Sequence, residues 1–220
     1  MSRTILITAA TKREMKVPDA LPGRFPGKLN KLLTGIGPVA TVYALMAYMA
    51  AHGKPSLVIN IGIAGSYNEK LPPGSVVVPL SDRFADLGVA NGREFIPISR
   101  AGIDTSDNYT PAGEYYADSY LAGKLSADIR PARAVTVSTA TGSSEVRNMI
   151  MGEFNADIES MEGAAAYYVC NREKIPCIGL RAVSNMVGPR DRSSWKVDMA
   201  LARLAEALEN NLTCFIDENT

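Results

Sequence analysis

The stretch Ser56-Leu-Val-Ile-Asn-Ile-Gly-Ile-Ala-Gly65 gives the strongest indication of the fold. Its first six residues are mostly apolar and β-branched, a pattern typical of a strand that is buried on both faces. A helix pattern at 39–51 precedes it, and Gly35-Ile-Gly-Pro38 introduces that helix with a proline suited to the first helical turn. A strand-like segment at 28–34 comes before this turn. Strand, helix and strand in this order favour a sheet with parallel strands.

The same alternation continues through the rest of the chain. Further strands are predicted at 5–8, 76–79, 134–137 and 177–183, and further helices at 114–127, 143–154, 161–172 and 195–211. We therefore expect an α/β fold, a three-layer α/β/α sandwich with a central mixed, mainly parallel twisted sheet. Residues 81–111 are less regular, which is typical of a site loop or a subunit contact. No linker composition divides the chain, so we expect a single domain over residues 1–220.

Composition excludes several classes of function. The 220 residues carry 23 Lys and Arg against 23 Asp and Glu, so the basic excess of an electrostatic nucleic-acid binder is absent. A single histidine excludes zinc sites that need two, and we expect no metal. The three cysteines lack a CxxC spacing, which favours a reducing cytoplasm. The apolar N-terminal run is too short for a signal peptide, and we expect none.

Residues 32–53 contain no Asp, Glu, Lys or Arg. The two glycines and the proline of Gly35-Ile-Gly-Pro38 interrupt this segment, so the remaining helix is too short to span a bilayer. We expect a buried helix there. The same turn fits the loose dinucleotide pattern GxGxxA, but the acid that should follow after about 20 residues is missing, since the next one is Glu69. A tight strand-to-helix turn is therefore favoured over a nicotinamide site, and no cofactor is expected.

Two segments contain residue types that suit chemistry. Glu159 and Glu162 open the segment 158–166, where they either interact with a helix dipole or, for Glu162, accept hydrogen bonds from a vicinal diol. Ser184 and Asn185 end a predicted strand, and ligands of open α/β sheets bind beyond the carboxyl ends of strands. An ordinary turn containing asparagine explains the second segment about equally well.

These segments resemble the nucleoside phosphorylase and nucleosidase superfamily, whose members cleave the bond between a ribose and a base. The matching pieces are Ala9-Ala-Thr-Lys-Arg-Glu14, Gly35-Ile-Gly37, Asn60-Ile-Gly-Ile-Ala-Gly65, Pro73-Gly-Ser-Val-Val-Val78, Glu159-Ser-Met-Glu-Gly-Ala164 and Arg181-Ala-Val-Ser-Asn185. The resemblance implies a phosphorylase/hydrolase-like sheet, a small nucleoside as substrate, no cofactor and no metal. It also implies a homodimer or a higher homo-oligomer in which a neighbouring subunit often closes the site.

The resemblance also implies the nucleophile. Phosphorylases of the superfamily carry an arginine where this chain has Asn60, and nucleosidases carry a glutamate at the position of Glu14. Water activated by Glu14 is thus expected to attack, and not phosphate. From the local sequence alone, a solvated residue in a charged turn is the favoured interpretation of Glu14.

The leaving base is implied by Asn185, because superfamily members that cleave adenine nucleosides usually carry aspartate there. An amide offers two N–H donors, which suit O6 and N7 of a 6-oxopurine such as hypoxanthine. Glu162 is expected to hold the ribose diol and to favour a cationic sugar. Further expected substrate contacts are Ile63, Ala64, Thr139, Ala140, Thr141, Met161, Ser184 and Arg190, although Met161 fits an ordinary core position about as well.

The segment 184–195 is most similar to one branch of the superfamily, whose members release hypoxanthine from a nucleoside of menaquinone biosynthesis. That nucleoside carries an aryl carboxylate on its 5′ side, and Arg190 or Arg192 is expected to meet it; a solvated loop before the last helix is the alternative. Three other functions stay open: a methylthioadenosine/S-adenosylhomocysteine-type nucleosidase, a purine nucleoside phosphorylase, and a nucleoside-binding protein without catalysis. The presence of both Glu14 and Glu162 favours an enzyme.

Overall fold

Strand β3 (Leu57–Ser66) organises the sheet. The computed structural model describes residues 4–20, 29–92, 94–103, 113–189 and 191–216. On one edge, β3 pairs in parallel with β1 (Ile5–Ala9) over its first residues and antiparallel with β9 (Ile158–Ser160) at its end. On the other edge it pairs in parallel with β10 (Cys177–Met186) over nearly its whole length. The first six residues of β3 are buried, as expected for a strand covered on both faces.

The remaining strands close five members of the sheet into a ring. From β9 the pairing continues to β8 (Arg130–Thr136), to β4 (Val76–Phe84) and back to β10, while β2 (Leu29–Leu33) and β7 (Glu114–Tyr116) attach outside the ring. A hairpin of β5 (Gly88–Asn91) and β6 (Glu94–Pro97) is separate. The predicted mixed sheet is confirmed. The predicted three-layer sandwich is corrected, because five strands form a closed ring: one edge of β3 pairs first with β1 and then with β9.

Helices cover both faces of the β1–β3–β10 region. On one face, Leu6 and Val58 pack with α2 (Pro38–His52) and α5 (Gly163–Glu173). On the other, Ile7 and Ile59 pack with α6 (Val197–Ile216). The shorter helices are α1 (Lys12–Met15), α3 (Ser119–Ala122) and α4 (Ser144–Phe154). Within the described ranges, no helix is long and apolar enough to cross a membrane.

Two expectations about helices need correction. The helix predicted to be buried at 39–51 is α2, but only Thr41, Leu45 and Met49 are buried, whereas Val39 and Tyr43 are 83% and 75% exposed. Its apolar residues surround the helix, and only one stripe contacts the core. The helix predicted at 114–127 is instead β7 followed by α3. Asp118 caps α3 and Gly123 ends it after one turn.

Candidate active site

A pocket of about 290 Å³ opens where the parallel strands end. Residues near the carboxyl ends of β3, β9 and β10 and segments that follow β1, β2 and β8 form its wall, which is where α/β sheets hold ligands. The lining residues are Ala10, Thr11, Glu14, Ile36, Ile63, Ala64, Gly65, Ala140, Thr141, Glu159, Ser160, Met161, Glu162, Ser184, Asn185, Val187 and Trp195. The volume is near the lower end of the range for small-molecule sites.

Glu14 points into this pocket from α1. The Thr11 amide donates to Oε2 of Glu14 at 3.0 Å, and the Thr11 hydroxyl donates to the same oxygen at 2.7 Å. The Ile63 amide, on β3, donates to Oε1 at 3.1 Å. Glu14 is only 7% exposed, so the alternative of a solvated residue in a charged turn is wrong. Three donors hold the carboxylate in one orientation at the edge of the pocket.

Glu162 lies just before α5 and binds a distant turn. The Gly37 amide donates to its Oε1 at 2.9 Å. Gly37 has φ +91°, a left-handed conformation that glycine adopts without strain, and this conformation aims its N–H at the carboxylate. The Gly35-Ile-Gly37 turn, which carries the loose dinucleotide pattern, therefore binds a carboxylate of the protein itself. Glu162 also lines the pocket, so a ligand there can reach its carboxylate.

The charge of Glu162 is destabilised by its surroundings. Burial raises the pKa of Glu162 above the usual value for glutamate, and the Glu14 carboxylate adds to this rise. The Gly37 amide and the Arg181 guanidinium act in the opposite direction. Two carboxylates thus share a pocket that favours positive charge in whatever binds between them.

Asn185 lies near the end of β10, next to an irregularity in its pairing with β3 between Val183 and Asn185. The Ser184 hydroxyl donates to Oδ1 of Asn185 at 2.8 Å, and Nδ2 donates to the Met186 carbonyl at 3.0 Å. This fixes the amide so that Nδ2 lies over Gly65: a Cβ built on Gly65 would be 3.4 Å from it. One N–H of Asn185 is then left for a ligand.

A layer of buried polar residues supports the pocket from below. Nη1 of Arg181 donates to the Asn60 carbonyl at 2.7 Å, and the Asn60 amide donates to Thr8 Oγ1 at 2.9 Å. Asn60 therefore binds within the sheet, where it is 1% exposed. Burial raises the pKa of nearby Asp82 to about 7. Among the described side chains, Nε of Arg181 and Oδ2 of Asp82 are buried polar atoms without a hydrogen-bond partner.

The structure brings most of the expected site residues together. Those that line the pocket are Glu14, Ile63, Ala64, Ala140, Thr141, Met161, Glu162, Ser184 and Asn185. Thr139 does not line this pocket; it is exposed and lines a neighbouring cavity of about 560 Å³, because the chain turns outward after β8. Arg190 lies outside the described residues, and nothing is described of the Arg192 side chain.

Sequence reasoning missed several side chains at or next to the pocket, and four of them bear on its chemistry or shape. Ile36 is the middle residue of the Gly35-Ile-Gly37 turn, and Trp195 follows the Ser184 segment; both line the pocket. The predicted interaction of Glu159 with a helix dipole is wrong, because Glu159 lies on β9 and lines the pocket. Tyr67 does not line the pocket, but its hydroxyl donates a hydrogen bond to Oε2 of Glu159. Trp195 could have been predicted, because it is an aromatic residue close in sequence to the Ser184 segment. No feature of the sequence pointed to Tyr67.

Comparison with known proteins shows the family and the fold of the chain. The sequence profile of the Phosphorylase superfamily matches residues 28–216. The chain is 34% identical over 201 residues to a futalosine hydrolase of Streptomyces coelicolor, covering 89% of this chain and 83% of that protein. The structure is similar to the 5′-methylthioadenosine/S-adenosylhomocysteine nucleosidase of Helicobacter pylori, with a TM-score of 0.82, 18% identity and coverage of 97% and 99%. It is also similar to the futalosine hydrolase of Helicobacter pylori, with a TM-score of 0.73, 18% identity and coverage of 99% and 98%.

Proposed function

The chain belongs to the phosphorylase superfamily as an N-glycosyl hydrolase, and on that premise we propose that it hydrolyses futalosine to hypoxanthine and dehypoxanthine futalosine. The observation that carries this proposal is the convergence of Glu14, Glu162 and Asn185 on one pocket. These three side chains provide a base for water, a partner for the ribose diol and a donor for the leaving purine. The reaction would be a step of menaquinone biosynthesis, as the sequence resemblance implies.

The bond that breaks joins C1′ of the ribose to N9 of the purine. As it lengthens, positive charge develops on the sugar and negative charge on the base. Glu162 accepts hydrogen bonds from the 2′- and 3′-hydroxyls, and its charge together with that of Glu14 stabilises the oxocarbenium-like sugar. The raised pKa of Glu162 supports this role, because it reflects a site where a neighbouring cation is favoured.

The leaving purine is stabilised from the opposite wall. The remaining N–H of Asn185 donates to O6 or N7 of hypoxanthine, where negative charge develops. Ser184 acts as a positioning residue, since its hydroxyl donates to Oδ1 of Asn185 and keeps Nδ2 toward the base. An amide is a poor proton source, so the proton that N7 or N9 finally takes comes through water.

Water attacks C1′ after Glu14 removes its proton. The two backbone amides and the hydroxyl that bind Glu14 hold the carboxylate in place for this step. General base catalysis of this kind typically contributes about 10²–10⁴-fold to the rate. The unpartnered Nε of Arg181 lies on the same side, since a Cβ on Gly62 would be 3.8 Å from it and 3.0 Å from Oε1 of Glu14.

The aryl carboxylate on the 5′ side of futalosine requires a cation. Arg190 is the residue we propose for this contact. Trp195, which lines the pocket, also lines a second cavity of about 550 Å³ together with Arg13 and Lys196. Arg13 is paired with Asp198, so Lys196 is the described cation more available to assist Arg190. Replacing Arg190 by alanine should weaken the binding of futalosine more than the binding of inosine. An equal loss of affinity for both would show that Arg190 does not contact the carboxylate.

We also propose that the enzyme works in the cytoplasm as a homodimer or a higher homo-oligomer. The exposed apolar side chains Val39, Tyr43 and Met46 on one side of α2 support a contact between copies. Size-exclusion chromatography with light scattering tests the assembly, and a monomeric mass at micromolar concentration would contradict it.

The test of the proposed reaction is release of free hypoxanthine from futalosine in phosphate-free buffer. We expect turnover without phosphate and no stimulation when phosphate is added. Methylthioadenosine, and inosine with phosphate, are the matched control substrates for the two other enzyme classes. Turnover of either control in preference to futalosine would contradict the proposal, and silence with all three would favour a nucleoside-binding protein.

A further inference from the structure

Asp82 lies below the pocket, and the proposed mechanism gives it no task. Its side chain on β4 is fully buried, and the titratable groups that interact with it are Arg181, Glu162 and Tyr167. One of its two oxygens has no hydrogen-bond partner among the described residues. Burying such a group is costly, so its remaining contacts indicate what it supports.

One oxygen of Asp82 is connected to the first turn of α5 through a threonine. The Thr136 hydroxyl, on β8, donates to Oδ1 of Asp82 at 2.9 Å. The oxygen of the same hydroxyl accepts from the Ala164 amide at 2.8 Å. The first amides of a helix have no partner within the helix, and this arrangement satisfies one of them. It joins β4 and β8 to the start of α5.

The other oxygen of Asp82 lies against the backbone of Gly163. A Cβ built on Gly163 would be 2.1 Å from Oδ2 of Asp82, so the carboxyl group fills the space that a larger residue would need. The Gly163 amide donates to Ser160 Oγ, on β9, at 3.3 Å. Side chains of three strands therefore hold the first two residues of α5.

These two residues directly follow Glu162. Glu162 is the N-cap residue of α5, but its side chain makes no capping hydrogen bond to the helix. It accepts from the Gly37 amide instead and lines the pocket. Because Thr136 and Ser160 bind the first amides of α5, the Glu162 carboxylate is left for the pocket.

From these contacts we infer that Asp82 is a positioning residue: through Thr136 and Gly163 it fixes the start of α5, and thereby the place where Glu162 meets the ribose hydroxyls. The inference rests on the proposed function, because it assumes that Glu162 binds the ribose. Without the carboxyl group, the Thr136 hydroxyl loses its acceptor and the space beside Gly163 is empty. The first turn of α5 then shifts, and Glu162 shifts with it.

Asp82→Ala tests the inference through the separate effects on kcat and KM for hypoxanthine release from futalosine. Displacing a catalytic group by about 1 Å costs about 10²-fold in rate, so we expect kcat to fall about 10- to 100-fold while KM changes less than about threefold. The loss is expected in kcat because Glu162 interacts most strongly with the transition state. A folded variant that keeps kcat within about threefold of the wild type would overturn the inference.

Asn211→Ala is the matched control for the loss of a buried polar side chain. Asn211 is buried on α6, where its amide donates to the Ala207 carbonyl, and it does not line the pocket. This variant should lower the Tm but leave kcat unchanged. A fall in kcat as large as that of Asp82→Ala would assign both losses to general destabilisation and overturn the inference.

The Glu162→Gln background shows whether Asp82 acts through Glu162. Effects of coupled residues are not additive, so adding Asp82→Ala to Glu162→Gln should lower kcat by less than about threefold further. If Asp82→Ala lowers kcat by the same factor in both backgrounds, Asp82 does not act through Glu162 and the inference is wrong.

Asp82→Asn is the conservative variant that should restore activity. Burial raises the pKa of Asp82 to about 7, so its neutral form is populated at neutral pH. Asparagine has the shape of that neutral form and keeps an oxygen for the Thr136 hydroxyl. We expect kcat within about threefold of the wild type, and a loss as large as with alanine would contradict the positioning role.

Thr136→Val and Gly163→Ala cover the case in which Asp82→Ala does not fold. Valine keeps the shape of threonine but removes the hydroxyl between Asp82 and Ala164. Alanine at position 163 favours a helix by its propensity, but its Cβ would collide with Oδ2 of Asp82. Both variants should lower kcat with little change in KM, and a wild-type kcat in either would overturn the inference.

The choice of substrates separates this inference from the proposed function. Wild type and Asp82→Ala are compared on futalosine, on methylthioadenosine, and on inosine with phosphate. Cleavage of another nucleoside but not of futalosine counts against the proposed substrate alone, and the ratio of kcat on that nucleoside still tests Asp82. Hydrolysis of futalosine with a ratio near one counts against the role of Asp82 alone.

A binding measurement applies if none of these nucleosides is cleaved. The gain in Tm on adding inosine, compared with the gain on adding 2′,3′-dideoxyinosine, measures binding of the ribose diol. Asp82→Ala should reduce the difference between the two gains. An unchanged difference would overturn the inference.

Discussion

Replacing Glu14 by glutamine keeps the shape of the side chain but removes its charge and one of its two acceptor oxygens. In the wild type, the Ile63 amide donates to one oxygen and the Thr11 amide and hydroxyl donate to the other. The NH₂ group of glutamine cannot accept from an amide, so one backbone N–H loses its partner whichever way the side chain turns. An unpaired buried group costs about 1–3 kcal/mol. For a chain of this length, that corresponds to a fall in Tm of about 2–12 °C.

The effect on catalysis should be much larger than the effect on stability. Without a general base, kcat for hypoxanthine release from futalosine is expected to fall about 10²–10⁴-fold, while KM stays close to the wild-type value. A xanthine oxidase-coupled assay, run well below the Tm of the variant, measures both constants. Glu206→Gln is the control, since Glu206 lies on the surface of α6 and pairs with Arg203 outside the pocket. A folded Glu14→Gln variant that keeps kcat within tenfold of the wild type would refute the role of Glu14.

Three further predictions concern charge in and below the pocket. Asn185→Asp should shift the ratio of kcat/KM toward 6-aminopurine nucleosides, because a carboxylate accepts from an amino group; an unchanged ratio would undo the assignment of the base. The pKa of Asp82 is raised to about 7 in the folded protein, so the free energy of unfolding should fall by as much as about 4 kcal/mol as pH rises from about 4 to 7. Urea denaturation at pH 5 and pH 8 measures this fall, and Asp82→Asn should reduce the difference in the free energy of unfolding between the two pH values. An unchanged difference would assign the pH dependence to another group. Glu162→Gln should raise the Tm at pH 8, since burial raises the pKa of Glu162 and makes its charged form costly, yet lose at least about 10²-fold in kcat; a lower Tm would contradict this account.

Local sequence was sufficient where a structural element is defined by its own residues. The apolar run that begins at Leu57 forms β3, and Pro38 begins α2 as its position after two glycines indicates. The end of β10 also carries Ser184 and Asn185 to the pocket, because the carboxyl ends of parallel strands meet at one edge of the sheet. For these residues the predicted strand already implies the position of the side chain.

Contacts between distant segments could not be derived in this way. Glu14 looks like a surface residue within Lys12-Arg-Glu14, and only the Ile63 amide, 49 positions away, accounts for its burial. Glu162 depends on Gly37 across 125 positions. The closed ring of strands likewise depends on distant pairings, since one edge of β3 pairs first with β1 and then with β9. The resemblance to a known superfamily supplied what local pattern lacked for Glu14 and Glu162, but it gave no task to Glu159.

The unfavourable burial of these carboxylates explains how the pocket can act on a substrate whose ribose carries no charge. Glu14, Glu159 and Glu162 lie at the ends of different elements, and donors that belong to the protein keep each of them from being unpaired. Burial still leaves the charge of Glu162 unfavourable, as its raised pKa shows. The uncharged ribose of the bound substrate relieves this only slightly, whereas the cationic sugar that forms during bond cleavage relieves it strongly. The interaction energy is therefore greater in the transition state than in the bound substrate, which is the condition for a faster chemical step rather than tighter binding.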